Sequence, residues 1–129
     1  MHLAEIKLQL SDKSNLTKFM EEWWKQTDFN PFNERERIAD GKIGIECYPF
    51  YGNIHLSAIR SLEPNQGAAS IALDKFLKLA DSFSVSVECD PKPFGNKGLN
   101  KASLTAWYKR HGFAPKKGYH GTLIHPPSA

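Results

Sequence analysis

The first third of the chain carries two hydrophobic periods in succession. Residues 4–10 alternate between apolar and polar side chains, which predicts a half-buried strand. Ser11 and Asp12 can then cap a helix, because apolar side chains recur at helical spacing after them. These side chains are Leu16, Phe19, Met20 and Trp23. Residues 27–41 are interpreted as a turn, with room for one short helix after Asn33.

The middle of the chain has the pattern of a β-hairpin. Residues 42–47 alternate between polar and apolar side chains, and residues 54–58 do the same. The segment "PFYGN" between them supplies the turn. Two apolar residues, Ala58 and Ile59, then adjoin, and this break in the alternation is compatible with a β-bulge.

The second half predicts two helices and two strands in alternation. Residues 67–82 have an apolar face opposite a polar stripe and predict a helix, and "VSVEC" after them predicts a short buried strand. Asn100 is placed to cap a last helix over residues 101–111, which Gly112 ends. The segment "GYHGTLIHPP" reads as a closing strand. The whole order predicts an α/β fold with a sheet of mixed direction.

Composition narrows the class of protein. The 129 residues suit one domain, and 40% hydrophobic with 24% charged residues is ordinary for a globular chain. The formal charge of +3 permits an anionic ligand without requiring DNA or a membrane surface. Cys47 and Cys89 fit no metal or redox spacing, so we expect reduced core residues. We find no signal peptide, membrane span or metal-ligand spacing and expect a cytoplasmic protein without a metal.

The start of the predicted helix at residue 67 has unusual chemistry. The run Asn65 to Ser70 contains no acidic and few bulky side chains. The first N–H groups of a helix lack intrahelical partners and carry partial positive charge, so an anion can bind there. Small residues also let a helix pack tightly against a sheet, which is the alternative explanation. The segment lacks GxxxxGK[ST] and GxGxxG, so it resembles neither a nucleotide-hydrolysing loop nor a dinucleotide site.

Two features of the last third add to this chemistry. The segment "LNKASLTAWYKRHGF" places Tyr108 before Gly112 and Phe113; taken alone, Trp107 and Tyr108 are most simply core aromatics. A set of basic residues forms either a solvated face or a surface that attracts phosphates, an acidic protein or nucleic acid. Its members are Lys97, Lys101, Lys109, Arg110, Lys116 and Lys117.

The chain from Ile54 to Phe113 resembles the GNAT superfamily of N-acetyltransferases. In that family a strand leads into an R/Q-x-x-G-x-G/A turn that holds the pyrophosphate of acetyl-CoA, and a later helix ends in Y-x-x-x-G-F. Here "HLSAIRSLEPNQGAAS" is similar to the strand and turn, and "YKRHGF" matches the second motif. Pro64 stands where the family prefers Arg or Gln. The general look is that of the short GNAT-like proteins of bacteria and their phages.

The resemblance implies a GNAT-like fold, with a mixed, mostly antiparallel central sheet flanked by helices, in a single domain. Residues 1–53 would form the acceptor side, residues 54–113 the acetyl-CoA-binding half, and residues 114–129 the closing strand and tail. Amides of the turn would bind pyrophosphate, and the preceding strand would pair with the pantetheine arm. The turn residues are Gln66, Gly67, Ala68, Ala69 and Ser70, and the strand residues are Leu56, Ser57, Ala58 and Ile59.

The resemblance also implies catalytic roles. Tyr108 would be the general acid that protonates the departing CoA thiolate and would lie near the cofactor, as could Asn100. A backbone N–H between Ala58 and Ile59 would polarise the acyl carbonyl during direct transfer, without a covalent acyl-enzyme. An amine acceptor also needs a base. Three residues are candidates for it, namely Glu46, His55 and Glu88.

Three functions follow as hypotheses. The first is an acetyl-CoA-dependent N-acetyltransferase whose acceptor is a protein lysine or a small amine. The second is a weakly active or inactive GNAT-fold protein that acts by binding a protein partner; the proline at position 64 favours it. The third is a small basic nucleic-acid-binding domain, which the mild net charge disfavours. A second copy of the chain could cover an open sheet edge, so a homodimer is compatible with each.

Overall fold

The computed structural model describes residues 3–61, 66–92 and 100–127, without the side chains of residues 3–14 and Gln66. Pro64 and Lys97 therefore lie outside the described residues, as do most of the predicted loop over residues 90–100. The helices are α1 (Leu3–Gln26), α2 (Gln66–Ser82) and α3 (Lys101–Arg110). The strands are β1 (Asp28–Phe29), β2 (Glu36–Ala39), β3 (Ile43–Phe50), β4 (Asn53–Ser61), β5 (Val87–Cys89), β6 (Ala114–Pro115) and β7 (Leu123–His125).

The strands form a single mixed sheet in the order β1-β2-β3-β4-β5-β7-β6. All neighbouring pairs are antiparallel except β4 and β5, which are parallel and joined through α2. A parallel pair needs such a crossover, because its strands run in the same direction. The predicted α/β class and the mostly antiparallel, mixed sheet are confirmed.

The core lies between the sheet and helices α1 and α2. Phe76 of α2 meets Phe19 and Trp23 of α1 edge to face, with ring centroids 5.4 and 4.9 Å apart. Residues of β3, β4, β5 and β7 complete the same cluster. The predicted α1 face is thus confirmed, and the adjoining Trp24 is exposed.

The predicted strand over residues 4–10 is wrong, because these residues form the beginning of α1. Leu3, Ile6 and Leu10 fit a helical period as well as an alternating one. Glu, Lys and Gln between them are good helix formers. A short apolar pattern of this kind does not discriminate between the two periods, and the long helical run after Ser11 decides the outcome.

The interpretation of a short helix after Asn33 is also wrong. A turn closes at Glu36, whose N–H donates to the Asn33 carbonyl, and strand β2 begins there. Pairing with β3 overrides the high helix propensity of the Glu- and Arg-rich segment. Strands β1 and β6, of two residues each, add short edges that the sequence did not indicate.

The predicted hairpin and bulge are confirmed. Tyr51 and Gly52 form the turn with φ of +48° and +82°, the region a two-residue hairpin requires and glycine favours. The β3–β4 register shifts between Glu46 and Cys47, so Ser57 has no Cα partner on β3. Ile59 therefore packs against the core cluster, while Ala58 is buried outside it. The bulge explains the adjoining apolar residues.

The second half of the chain follows the prediction closely. Asn100 caps α3 by accepting the N–H of Ser103 at 2.8 Å, and Gly112 ends the helix with φ of +96°. The predicted helix over residues 67–82 is α2, "VSVEC" contains β5, and the closing strand contains β7. In the part of the chain that the structure describes, no helix is long and apolar enough to cross a membrane.

Candidate functional site

Strands β4 and β5 run together for only two residues and then part. Ile54 pairs with Val87 and His55 with Glu88, and the Ile54 N–H donates to the Ser86 carbonyl at 2.9 Å. Strand β4 continues to Ser61, whereas β5 ends at Cys89. Within the described residues, β4 beyond His55 has no partner on β5. This separation of the two strands therefore leaves one edge of β4 without a β5 partner over residues 56–59, the four strand residues that the sequence predicted to bind the pantetheine arm.

Those four residues differ in burial. Leu56 and Ala58 are buried, while Ser57 and Ile59 are half-buried. The bulge at Ser57 lies directly beyond the parting, so the backbone of β4 turns where it leaves β5. An extended chain that entered the gap could add to this edge through main-chain hydrogen bonds, which depend little on side-chain identity.

Helix α2 begins beyond the end of β4. Its first turn contains no acidic residue, and Gly67 is exposed, while Ala68, Ala69 and Ser70 are half-buried. The Ser70 hydroxyl accepts the Trp107 indole N–H at 3.0 Å, which ties α2 to α3. Small residues at a helix start can also serve tight packing, and this explanation has support here, since Ala68 and Ala69 pack against the core. The helix start is both tightly packed and accessible at Gly67.

Tyr108 is buried where α3 meets the end of β5. The centre of its ring lies 5.2 Å from that of Phe113 and 5.0 Å from that of Trp107. Tyr108 is therefore a core aromatic residue, as its sequence context alone indicated. Burial raises the pKa of Tyr108 well above its usual range, and the neighbouring Cys89 raises it further. The phenol therefore keeps its proton, and its interaction with Cys89 puts it beside the strand that ends at the parting.

The structure brings His55 and Glu88 together, since they face each other across the last β4–β5 pair. The His55 Nδ1 lies 3.8 Å from the Glu88 carboxylate. Glu88 is only 3% exposed, accepts a hydrogen bond from the Lys116 Nζ at 2.6 Å and is 3.4 Å from the Asn53 amide. These groups line a groove of about 690 Å³.

Aromatic rings form one wall of this groove. The Tyr48 ring lies 5.1 Å from His55, Phe50 lies 6.0 Å from it, and Tyr51 packs 4.6 Å from Phe50. On the other side, the Lys116 ammonium lies 4.3 Å from the centre of the Tyr119 ring. Sequence reasoning missed the four aromatic residues of the groove, whereas it named His55 as a candidate base and Lys116 as one of the basic residues. Only the apolar side chains at Tyr48 and Phe50, on the outward positions of the hairpin, signalled them.

Glu46, the third candidate base, lies elsewhere. It lines a second groove of about 430 Å³, between α1 and the β2–β3 region, which shares Tyr48 with the first. Met20, Trp23 and Trp24 form the helix side of that groove. The structure thus groups His55 with Glu88 at the parting and leaves Glu46 apart from them.

The cysteines have the environment of core residues. Both are free, and Cys89 is buried while Cys47 is half-buried. Burial raises the pKa of each thiol to about 12, with nearby carboxylates adding to the rise. Neither thiol is therefore activated as a nucleophile.

Comparison with known proteins identifies a shared fold but no family. No model of a known protein family matches the sequence, and no curated protein matches it. The chain is similar to the crystal structure of the anti-CRISPR protein AcrVA5, with a TM-score of 0.58. The match covers 67% of this chain and 93% of that chain, at 12% sequence identity. At such low identity the likeness shows the architecture, and function has to be argued from the site.

Proposed function

We propose that the protein is an acetyl-CoA-dependent N-acetyltransferase with a GNAT-like fold, which moves an acetyl group directly to an amine. The parting of β4 and β5 after His55 and Glu88 carries this proposal. It supplies an open strand edge for a pantetheine arm, and the acid-free start of α2 follows the same strand. Together they fit a long ligand with an amide-bearing arm and an anionic end.

The bound ligand would follow the order of the chain. The amides of the pantetheine arm would pair with β4 at Leu56 to Ile59, and the pyrophosphate would lie against the N–H groups from Gln66 to Ser70. Asn100 caps α3, and a separate bond from Trp107 to Ser70 ties that helix to α2. In this scheme Asn100 positions α3 beside the ligand.

Tyr108 and the His55–Glu88 pair would divide the proton transfers. The amine nitrogen forms a bond to the acyl carbon and the carbon–sulfur bond breaks. The thiolate takes a proton from Tyr108, and the proton that the nitrogen releases as the amide forms restores the phenol. The acceptor ammonium must first lose a proton, which His55 can take, with Glu88 beside it to stabilise the resulting positive charge. Glu46, in the second groove, takes no part in this scheme.

The first test is calorimetric titration with acetyl-CoA. We expect micromolar binding by the parent and loss of binding by Gly67→Glu, because a carboxylate at the first turn repels the pyrophosphate. Ile71→Glu is the matched control, since it adds the same charge one turn later at an exposed position. Circular dichroism checks that each variant folds. A folded parent that does not bind acetyl-CoA would refute the proposal.

Turnover is tested with Tyr108→Phe. The substitution keeps the ring contacts with Trp107 and Phe113 and removes only the proton donor. We expect kcat to fall by about 10²-fold or more with acetyl-CoA affinity unchanged, as is typical for loss of a general acid. Unchanged kcat would show that the thiolate leaves without help from this residue.

One observation favours a second function, binding of a protein partner without transfer. Tyr48 and Phe50 are each 43% exposed and Tyr51 is 92% exposed, so three adjacent aromatic residues of one hairpin face solvent. Aromatic clusters of this kind are enriched at protein interfaces. The similarity in fold to an anti-CRISPR protein is compatible with this alternative. Tight acetyl-CoA binding without turnover on proteins or small amines would support it.

A further inference from the structure

Lys116 is held in the groove as an alkylammonium ligand would be. Its Nζ donates to Glu88 at 2.6 Å and lies 4.3 Å from the centre of the Tyr119 ring. A carboxylate on one side and an aromatic face on the other are the two groups that bind an ammonium best in proteins. The side chain is 24% exposed, so the ammonium reaches inward from the groove wall.

The backbone at Lys116 is fixed independently of this contact. The Lys116 N–H donates to the Thr122 carbonyl at 2.8 Å, and the Tyr119 N–H donates to the Lys116 carbonyl at 3.1 Å. The side chain therefore extends from a turn that the backbone holds closed, and it makes one hydrogen bond to Glu88. A lysine ammonium with a flexible stem can leave such a contact without moving the main chain.

We propose that the Glu88 groove is the acceptor subsite, that it takes the ammonium of a lysine on a partner protein, and that Lys116 is its resident stand-in. This inference rests on the proposed function, because the subsite lies at the parting where transfer would occur. It goes further in naming the acceptor: a primary ammonium on an aliphatic arm that displaces Lys116 from Glu88.

The surroundings of the groove favour a protein acceptor over a small amine. Tyr51 lines the groove at the hairpin turn and is 92% exposed, so a small amine held at Glu88 would leave most of this ring uncovered. The exposed ring series Tyr48, Phe50 and Tyr51 adjoins the groove, so it can dock the body of a protein whose lysine enters. Lys92 and Lys116 balance Glu88 and Asp90 there, so the subsite gains a net negative charge only when Lys116 leaves.

The test uses a capped Gly-Lys-Gly tripeptide and its norleucine counterpart as probes, with binding followed by NMR shifts of the aromatic rings. Lys116→Met removes the resident ammonium, and we expect it to bind the lysine probe about tenfold more tightly than the parent. Lys117→Met is the control at the neighbouring exposed lysine and should bind as the parent does. The double variant Lys116→Met with Glu88→Gln should lose the gain.

Two results would overturn the inference: no tighter binding by Lys116→Met than by Lys117→Met, or equal binding of the norleucine probe. If Lys116→Met does not fold, Lys116→Gln replaces it under the same criteria, because its amide can still donate to Glu88. The acetyl-CoA titration separates the two proposals. Lysine binding without acetyl-CoA binding refutes transfer and leaves a lysine-binding groove that is not an acceptor subsite, whereas acetyl-CoA binding without the lysine effect refutes the subsite alone.

Discussion

Two carboxylates of the sheet, Glu36 on β2 and Glu88 on β5, are almost equally buried, with 2% and 3% exposure. Their partners differ. Glu36 accepts from Arg60 at 2.7 and 2.8 Å and from the Asn30 amide at 2.8 Å. Glu88 has one short contact, with Lys116, and longer ones with Asn53 and His55.

The difference separates a structural carboxylate from one suited to ligand exchange. A guanidinium that donates two bonds to one carboxylate is fixed in a plane, whereas an ammonium is a point charge on a flexible stem. The Glu36 carboxylate also lies directly against the backbone of Gly44, where a side chain would otherwise stand. The backbone therefore closes this side of Glu36. Glu88 instead lines the large groove. Two equally buried carboxylates can therefore differ in function. The type of cation that each one binds determines whether a ligand can replace it.

The largest effect on stability is expected from Gly44→Ala. An added Cβ would overlap the Glu36 Cδ, and the carboxylate cannot move without breaking its bonds to Arg60 and Asn30. We expect a loss of about 3 kcal/mol in the free energy of unfolding, measured in urea. In the double variant Gly44→Ala with Glu36→Ala, the two losses should be clearly less than additive. Full additivity would show that the two residues do not interact as described.

The next effect compares the two cations directly. Arg60→Met leaves Glu36 buried without its guanidinium, and we expect a loss of about 2 kcal/mol after allowing for the exposed half of the arginine. Lys116→Met, the same chemical change beside Glu88, should cost less, because loss of the ammonium opens Glu88 to the groove and to water. Urea unfolding of both variants tests the order. Equal losses would mean that Glu88 is as structural as Glu36.

The sequence predicted one half of this molecule better than the other, for a physical reason. In α2, α3 and the Asn100 cap, local signals and tertiary packing agree. In residues 4–10 the alternating period competes with a helical one, and in β2 the pairing with β3 overrides helix propensity. Both errors fall in the first half, the first from two competing periods within one segment and the second from pairing with a neighbouring strand.

The candidate site was predictable only in part. The motif residues from Leu56 to Ser70 and Tyr108 were named from the sequence, and His55 and Glu88 were two of three candidate bases. What the sequence could not provide was their grouping, because His55 and Glu88 meet only through a parallel pairing of distant strands. Lys116 and Tyr119 reach Glu88 from a turn that no motif marks. Such contacts depend on the order of strands in the sheet, which cannot be deduced from the pattern of a single sequence.

The smallest effects on stability are expected from substitution of Asn30, beside Glu36, and Asn53, beside Glu88. They compare the two carboxylates through a single neutral partner each. Asn30 donates to Glu36 at 2.8 Å and accepts the Phe32 N–H at 2.9 Å, whereas Asn53 approaches Glu88 only at 3.4 Å. Asn30→Ala should cost about 1.5 kcal/mol in unfolding free energy, since it removes two bonds at a buried site. Asn53→Ala should cost no more than about 0.5 kcal/mol.

Thermal unfolding followed by circular dichroism is sufficient to rank the two asparagine variants. The lysine probe then adds a second readout, because a change at Asn53 adjoins the groove and a change at Asn30 does not. If Glu88 exchanges its partners, Asn53→Ala should alter probe binding while hardly changing stability, and Asn30→Ala should do the reverse. A stability loss at Asn53 equal to that at Asn30, with no effect on the probe, would place both carboxylates in the same structural role.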